Sequence, residues 1–189
     1  MTGRFVYHRV VDLLPGTTAL LSASALRDID DRAYRSAMRK YDDTPERRRL
    51  ATTRIPLIDR AWTEVVFLSP VHPRAIWQTW LDVSGSPLPR AEFWEIPVEL
   101  LPDDAVILDR TVSAVGDPID LAELVRFDAE RFRTALQTTA ANRAWLAKLA
   151  AGGLRGAYFH GIPHVLTAGP VPLKGARLIS WDAAPPVSR

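Results

Sequence analysis

Residues 62–80 read W-T-E-V-V-F-L-S-P-V-H-P-R-A-I-W-Q-T-W, and they limit what the chain can fold into more than any other stretch. Val65, Val66, Phe67 and Leu68 form an apolar run of strand length, rich in β-branched and aromatic residues. Ser69-Pro70 ends it, because proline has no N–H to give to a sheet ladder. One turn later His72-Pro73 restarts the chain, and proline suits the first position of a helix. Ala75, Ile76, Trp77, Trp80 and Leu81 then recur at helical spacing. A buried strand thus ends at a polar tip (Ser69, His72, Arg74) and feeds a helix. Binding groups concentrate at such tips, where a rigid scaffold presents loop residues to solvent. A purely structural connection has the same pattern.

The rest of the chain supplies a full core around this unit. Its 189 residues are 47% hydrophobic and 24% charged, which suits one globular domain. No apolar run approaches the ~18 residues of a membrane-spanning helix. The start, Met1-Thr-Gly-Arg-Phe-Val-Tyr-His8, lacks the basic-then-apolar pattern of a signal peptide, so a cytoplasmic protein is expected and no membrane partner. Without cysteine there is no disulfide, thiolate metal site or cysteine nucleophile. The 15 prolines, with frequent Ala, Arg, Asp and Val, fit a GC-rich bacterial or phage coding sequence.

Net charge is only +2, but it is uneven. Between Arg27 and Arg60 the basic residues outnumber the acidic ones, and Arg47-Arg48-Arg49 are contiguous. Such a cluster can contact the phosphates of DNA, RNA or an anionic cofactor. It equally fits a solvated helix surface followed by a basic loop.

In chain order, Arg4–Asp12 reads as a first strand and Leu13–Thr18 as a Pro-Gly turn. Ser22 or Ser24 caps a helix to about Tyr41, and residues 43–61 form a long Arg-rich connection. Glu92–Val98 and Ala105–Leu108 read as strands. Asp117-Pro118 signals a helix start, and one long helix or two are expected over 119–151, ending at Gly152-Gly153. Leu154–Phe159, His164–Thr167 and Ala176–Trp181 read as strands, Gly169–Pro172 as a break, and the end as a frayed tail. About seven short strands with a helical block in the second half predict an α+β fold with a mixed, mainly antiparallel sheet. No domain boundary is evident, so a single domain over 1–182 is expected, with 183–189 as the tail.

His8, His72, His160 and His164 all fall at strand ends or turns, where several could converge. Four independently hydrogen-bonded histidines are the alternative. His160 and His164 are four apart, but Gly161 and Pro163 between them exclude the helix a zincin motif needs, so no metal is expected. Dinucleotide, P-loop and nucleophile-elbow glycine motifs are all absent.

Laid end to end, the strands carry Val-Tyr-His8-Arg, then Glu-Arg-Arg-Arg49 and Arg54-Ile-Pro56. Val-Val-Phe-Leu-Ser69-Pro-Val-His-Pro, Phe-Trp-Glu-Ile-Pro-Val-Glu-Leu and His164-Val-Leu-Thr-Ala-Gly-Pro-Val-Pro-Leu follow. This order resembles the ADP-ribosyltransferase superfamily, most of all its DarT-like branch, across residues 4–181. The resemblance implies a split-sheet ADP-ribosyltransferase-like fold and NAD as the substrate cofactor. It implies transfer of ADP-ribose to a nucleic acid or protein acceptor, in a toxin-like protein with an antitoxin-type partner. By the same resemblance His8 holds the NAD ribose, flanked by Tyr7 and Arg9. Arg48, Arg49 or Arg54 faces the pyrophosphate or acceptor, and Ser69 with Phe67 lines the nicotinamide side.

One position departs from the pattern: His164 stands where the family has a catalytic glutamate, whose charge stabilises an oxocarbenium-like transition state. Glu64, Glu95 or Glu99 from another strand is the substitute, with Glu95 the candidate grouped with His8 and His164 as catalytic. Two alternatives follow. One is a non-catalytic nucleic-acid or protein interaction module using Arg47, Arg48 and Arg49 and tryptophans 62, 77, 80 and 94. The other is a histidine-based RNA 2′-phosphotransferase or phosphoesterase pairing His8 with His160 or His164.

Overall fold

The computed structural model describes residues 4–10 and 16–183. Its elements begin with β1 (Phe5–Arg9), β2 (Ala19–Leu20), α1 (Asp31–Met38), α2 (Pro45–Thr52), β3 (Arg54–Ile55), β4 (Arg60–Ala61) and β5 (Val66–Leu68). They continue with α3 (Pro73–Ser84), β6 (Glu92–Pro97), β7 (Val106–Leu108), β8 (Leu124–Arg126), α4 (Ala140–Ala151), β9 (His164–Thr167), β10 (Val171–Pro172) and β11 (Arg177–Ser180). The fold is α+β, and the named strands all pair antiparallel.

Two sheets organise it, one in the order β1-β6-β11 and one in the order β5-β9-β7-β8. Among the described residues they meet at a single rung, where Tyr7 and Ser69 exchange backbone hydrogen bonds of 2.9 and 2.7 Å. Because side chains alternate across a strand, β1 and β6 serve two compartments. Val6 and Ile96 enter a core shared with Val66, Leu68 and Val165 of the second sheet. Tyr7 and Phe93 point the other way, into a core closed by Ile76 and Trp80 of α3 and Leu146 and Leu149 of α4. A third cluster, with Ile55, Val106 and Leu166, covers the far face of the second sheet. Each fully buried aliphatic side chain contributes about 1.5–3 kcal/mol, so these three clusters hold the layers together.

The strand–turn–helix unit forms as its residues predict. His72 caps α3 by accepting the Arg74 N–H at 3.1 Å, Pro73 takes the first helical turn, and Gly85 closes the helix in the left-handed region at φ 69°.

Four expectations are corrected. The helix expected from Ser22 or Ser24 to Tyr41 is interrupted. A 3-10 turn over Ser24–Leu26 precedes α1, whose start is fixed by the Asp30 carboxylate accepting the Ala33 N–H at 2.9 Å. The connection over 43–61 contains α2, capped by Thr44 ahead of Pro45, and the β3–β4 hairpin. The helix expected over 119–151 exists only as α4. Before it, a 3-10 turn Leu121–Glu123 leads into β8, where Leu124 is buried and Val125 and Arg126 are exposed, and this strand pairs with β7. Residues 154–157 are irregular and 158–159 form a turn rather than a strand, since Gly156 (φ 112°) and Ala157 (φ 48°) bend the backbone out of extended geometry. The helical block of the second half is therefore one helix. The Gly169–Pro172 break also holds β10, which pairs with β2 through Val171 and Leu20. The turn expected over 13–18 and the frayed tail lie partly outside the described residues. Among the described residues no helix is long and apolar enough to cross a membrane.

Candidate functional site

At the meeting of the sheets, two side chains take the places that neighbouring rungs would occupy. On one side of the Tyr7–Ser69 rung the Thr134 hydroxyl accepts the Phe5 N–H at 2.9 Å and donates to the Phe5 carbonyl at 2.8 Å. On the other side His8 Nδ1 lies 2.8 Å from the Phe67 carbonyl oxygen. A carbonyl only accepts, so Nδ1 carries the proton and Nε2 is left as an acceptor. His8 is half-buried. Burial pushes its pKa below the ordinary value, the nearby positive charge of Lys40 pushes the same way, and the Phe67 carbonyl opposes both.

His164 reaches the same residue from β9. Its ring packs edge-on against Phe67, with centroids 5.9 Å apart. Burial lowers its pKa to about 4, and the positive charges of His160 and Lys40 add to the effect against a hydrogen bond to the Ile162 backbone. Both imidazoles are consequently neutral near pH 7. Trp62 extends this aromatic wall, 4.6 Å from Phe67, and the Arg110 guanidinium lies over its outer face at 5.6 Å. Tyr41, buried beside Trp62, has its pKa raised to about 12 by burial. Two neutral imidazoles and an aromatic wall thus meet at Phe67, and the charge of Lys40 acts on both imidazoles. The chemistry of this junction is hydrogen bonding and ring packing.

The loop that carries His160 toward His164 is held by α4. Asn142, wholly buried, donates from Nδ2 to the Tyr158 and His160 carbonyls at 2.8 and 2.7 Å. Its Oδ1 accepts the Thr138 hydroxyl at 2.7 Å, so all its side-chain polar groups are used.

Other residues singled out from the sequence lie elsewhere. Tyr7 is next to His8 but faces the opposite compartment, and its register partner is Glu95. Tyr7 donates its hydroxyl to Glu95 at 3.3 Å, and Arg177 Nε donates to the other carboxylate oxygen. Glu95 is 1% exposed and belongs to this buried group with His72, whose ring packs edge-on against Tyr7 at 5.0 Å. Burial pushes the His72 pKa down and that of the Tyr7 hydroxyl up. Glu95 therefore does not share the face of His8. Ser69 contributes its backbone to the rung, while its hydroxyl is buried and donates to the Val71 carbonyl at 2.8 Å. Arg9 is exposed on the Tyr7 face. Arg47 pairs with Asp43 at 2.7 Å, Arg49 with Glu46 at 3.5 Å, and Arg54 with Asp59, while Arg48 is exposed. Glu64 is used locally, accepting the Ala61 N–H, and Glu99 pairs with Arg4. Among the described residues no group of three His, Asp or Glu side chains is placed to hold a metal ion.

Sequence reasoning missed Lys40 and passed over Trp62 as a member of this group. The Trp62 side was legible in the W-T-E-V-V-F spacing, whereas Lys40 comes from a distant segment and carries no local signal. No protein-family model, curated protein or solved structure matches the chain.

Proposed function

We propose that the junction is a nucleotide site that takes NAD, in an ADP-ribosyltransferase-like protein on an ADP-ribosyltransferase-like split sheet. The observation that carries this reading is His8. With Nδ1 committed to Phe67, its Nε2 is a fixed acceptor for a ribose hydroxyl. The Phe67–Trp62 pair, partly exposed, supplies aromatic surface for a planar nicotinamide or adenine ring, and such stacking is worth ~1–3 kcal/mol per base. His164, held neutral, adds a second acceptor or donor without adding charge. Bound NAD would supply an activated glycosidic bond, and the acceptor is a nucleic acid or a protein.

A second reading rests on an observation of its own. Among the described residues no carboxylate is hydrogen-bonded to His8 or His164, so the negative charge that favours an oxocarbenium-like state is lacking there. A module on the same scaffold that binds NAD without transferring ADP-ribose fits this set of groups. Thermal denaturation with NAD tests both, since a ligand that binds the folded state raises Tm. A rise in the wild type that is lost in His8→Ala supports the site, and no rise rejects it. Nicotinamide release in the presence of DNA, RNA or protein acceptors then separates transfer from binding.

A further inference from the structure

The sheet that carries His8 has an open edge. In the order β1-β6-β11, β1 joins the second sheet, while no strand among the described residues pairs with the far side of β11. The Trp181 N–H donates to the Ala91 carbonyl at 3.2 Å, and Ile179 and Arg177 face Phe93 and Glu95, so the odd-numbered residues of β11 are bonded to β6. Backbone groups alternate in direction along a strand, so Ala176, Leu178 and Ser180 turn theirs outward. Among the described residues the Leu178 N–H and carbonyl, the Ser180 N–H and the Ala176 carbonyl have no partner.

Sheet edges are kept from pairing by projecting charges, prolines or bulges. β11 has no proline, its register with β6 is unbroken, and its one charge is turned back over the sheet. Arg177 donates to the buried Glu95 carboxylate and lies over the Phe5 ring at 5.8 Å. Leu178, 51% exposed, is left at the middle of the edge. The free edge of the second sheet differs. In β8 the Leu124 N–H is taken by the Leu121 carbonyl, and Arg126 is exposed.

We infer that β11 is a dimer interface and takes β11 of a second copy of this chain as its antiparallel neighbour, about a two-fold axis at Leu178. The outward groups are self-complementary. Leu178 opposite its own copy makes two hydrogen bonds, since each copy offers one N–H and one carbonyl. Ser180 then lies opposite Ala176, where its N–H meets the free carbonyl, and the two-fold repeats that bond. Every unpartnered group of the edge is used. Arg177 falls opposite Ile179, so like charges are not set face to face. Past the strand ends, the antiparallel order brings the exposed Lys174 of one chain toward the exposed Asp182 of the other. The product is one six-stranded sheet, with the two His8 positions about 24 Å apart across five strand spacings. This inference does not depend on the junction binding NAD.

Sedimentation equilibrium of the full chain over a range of concentrations tests it. The wild type should show a monomer–dimer equilibrium. Leu178→Arg sets like charges opposite each other at a half-exposed position, and should weaken association about tenfold or more with the far-UV circular dichroism unchanged. Val125→Arg, at the β8 edge, should leave association at the wild-type value. The chain has no cysteine, so Leu178→Cys adds a single thiol. Facing residues of a hydrogen-bonded antiparallel pair have Cα atoms ~5.5 Å apart, within disulfide reach, so this variant should cross-link on mild oxidation. Ser180→Cys, whose two copies are offset by four residues, should not. A wild type that stays monomeric throughout overturns the interface. So does a dimer as strong in Leu178→Arg as in the wild type, one lost in Val125→Arg, or cross-linking as efficient through Ser180→Cys as through Leu178→Cys.

Discussion

Tyr7 and Ser69 form one rung between the two sheets, and among the described residues no second backbone rung follows it. Two residues back along the chain, the Phe67 carbonyl is bonded by the His8 ring instead. A side chain thus completes the seam and leaves its second nitrogen as an acceptor.

His8→Ala should remove NAD-dependent stabilisation and also leave the Phe67 carbonyl without its donor. An unpaired, partly buried carbonyl costs about 1–3 kcal/mol. Urea denaturation without ligand reads the second effect and NAD titration the first. Unchanged NAD binding would sink the assignment of His8.

Stability should fall as pH drops from about 6.5 toward 4. His8, His72 and His164 all have folded pKa values below the ordinary value of 6.5, so the unfolded chain binds protons first. Their contribution is complete above the unfolded value and is lost through this window, with His164 supplying up to ~3 kcal/mol. His164→Gln should flatten the dependence of the urea midpoint on pH between 7.5 and 4.5. A slope as steep as that of the wild type would contradict the reading.

Glu123 adds a separate, more acidic step. Burial works against its charge, but bonds from the Ser113 hydroxyl and from the Val112, Ser113 and Asp120 N–H groups bring its pKa to about 2. Its stabilising charge is present above the unfolded value of 4.5 and is lost as pH falls toward 2. Glu123→Gln should lower the unfolding free energy by about 1–2 kcal/mol at pH 7, with little difference from wild type below pH ~2. An equal loss at both pH values would mean that packing, not charge, is responsible.

Glu95→Gln should destabilise without touching the junction. Its carboxylate accepts from Tyr7 and Arg177 in the compartment opposite His8, and loss of that charge should cost about 2 kcal/mol. NAD affinity should stay at the wild-type value in a calorimetric titration. A parallel loss of affinity would bring Glu95 back as a site residue.

Asn142→Leu is expected to be among the most damaging single changes. It leaves the Tyr158 and His160 carbonyls without their shared donor and introduces branching at a wholly buried position. A loss of about 2–4 kcal/mol is expected in urea, with faster amide exchange in residues 157–161.

The sequence made the strands and the proline-started helix legible because their signals are local. Ser69-Pro70 and His72-Pro73 act within one turn, and β1, β6, β9 and β11 have apolar residues at strand spacing. Residues 119–136 misled because leucines at 121, 124 and 136 also suit a helix. Pairing with β7, a contact distant in sequence, decided for a strand at Leu124–Arg126. α2 was hidden because only Leu50 of its residues is buried, which leaves no apolar stripe to read. His8 and His164 were legible as candidates from their strand-end positions. Lys40 was not, because the meaning of a charge depends on what lies opposite it. Glu95 was attractive as the missing acid until register placed it one residue away from the His8 face.

That register has a consequence for how the chain settles on its final alignment. A one-residue slip of β1 would carry His8 over Glu95 and turn Tyr7 into the junction, because neighbouring residues on a strand face opposite sides. The slipped strand would take the Tyr7 hydroxyl away from a carboxylate that has almost no contact with water. The penalty for that error falls in the compartment opposite the junction. The buried acid thereby proofreads the strand, deciding which residue faces the junction while remaining outside it.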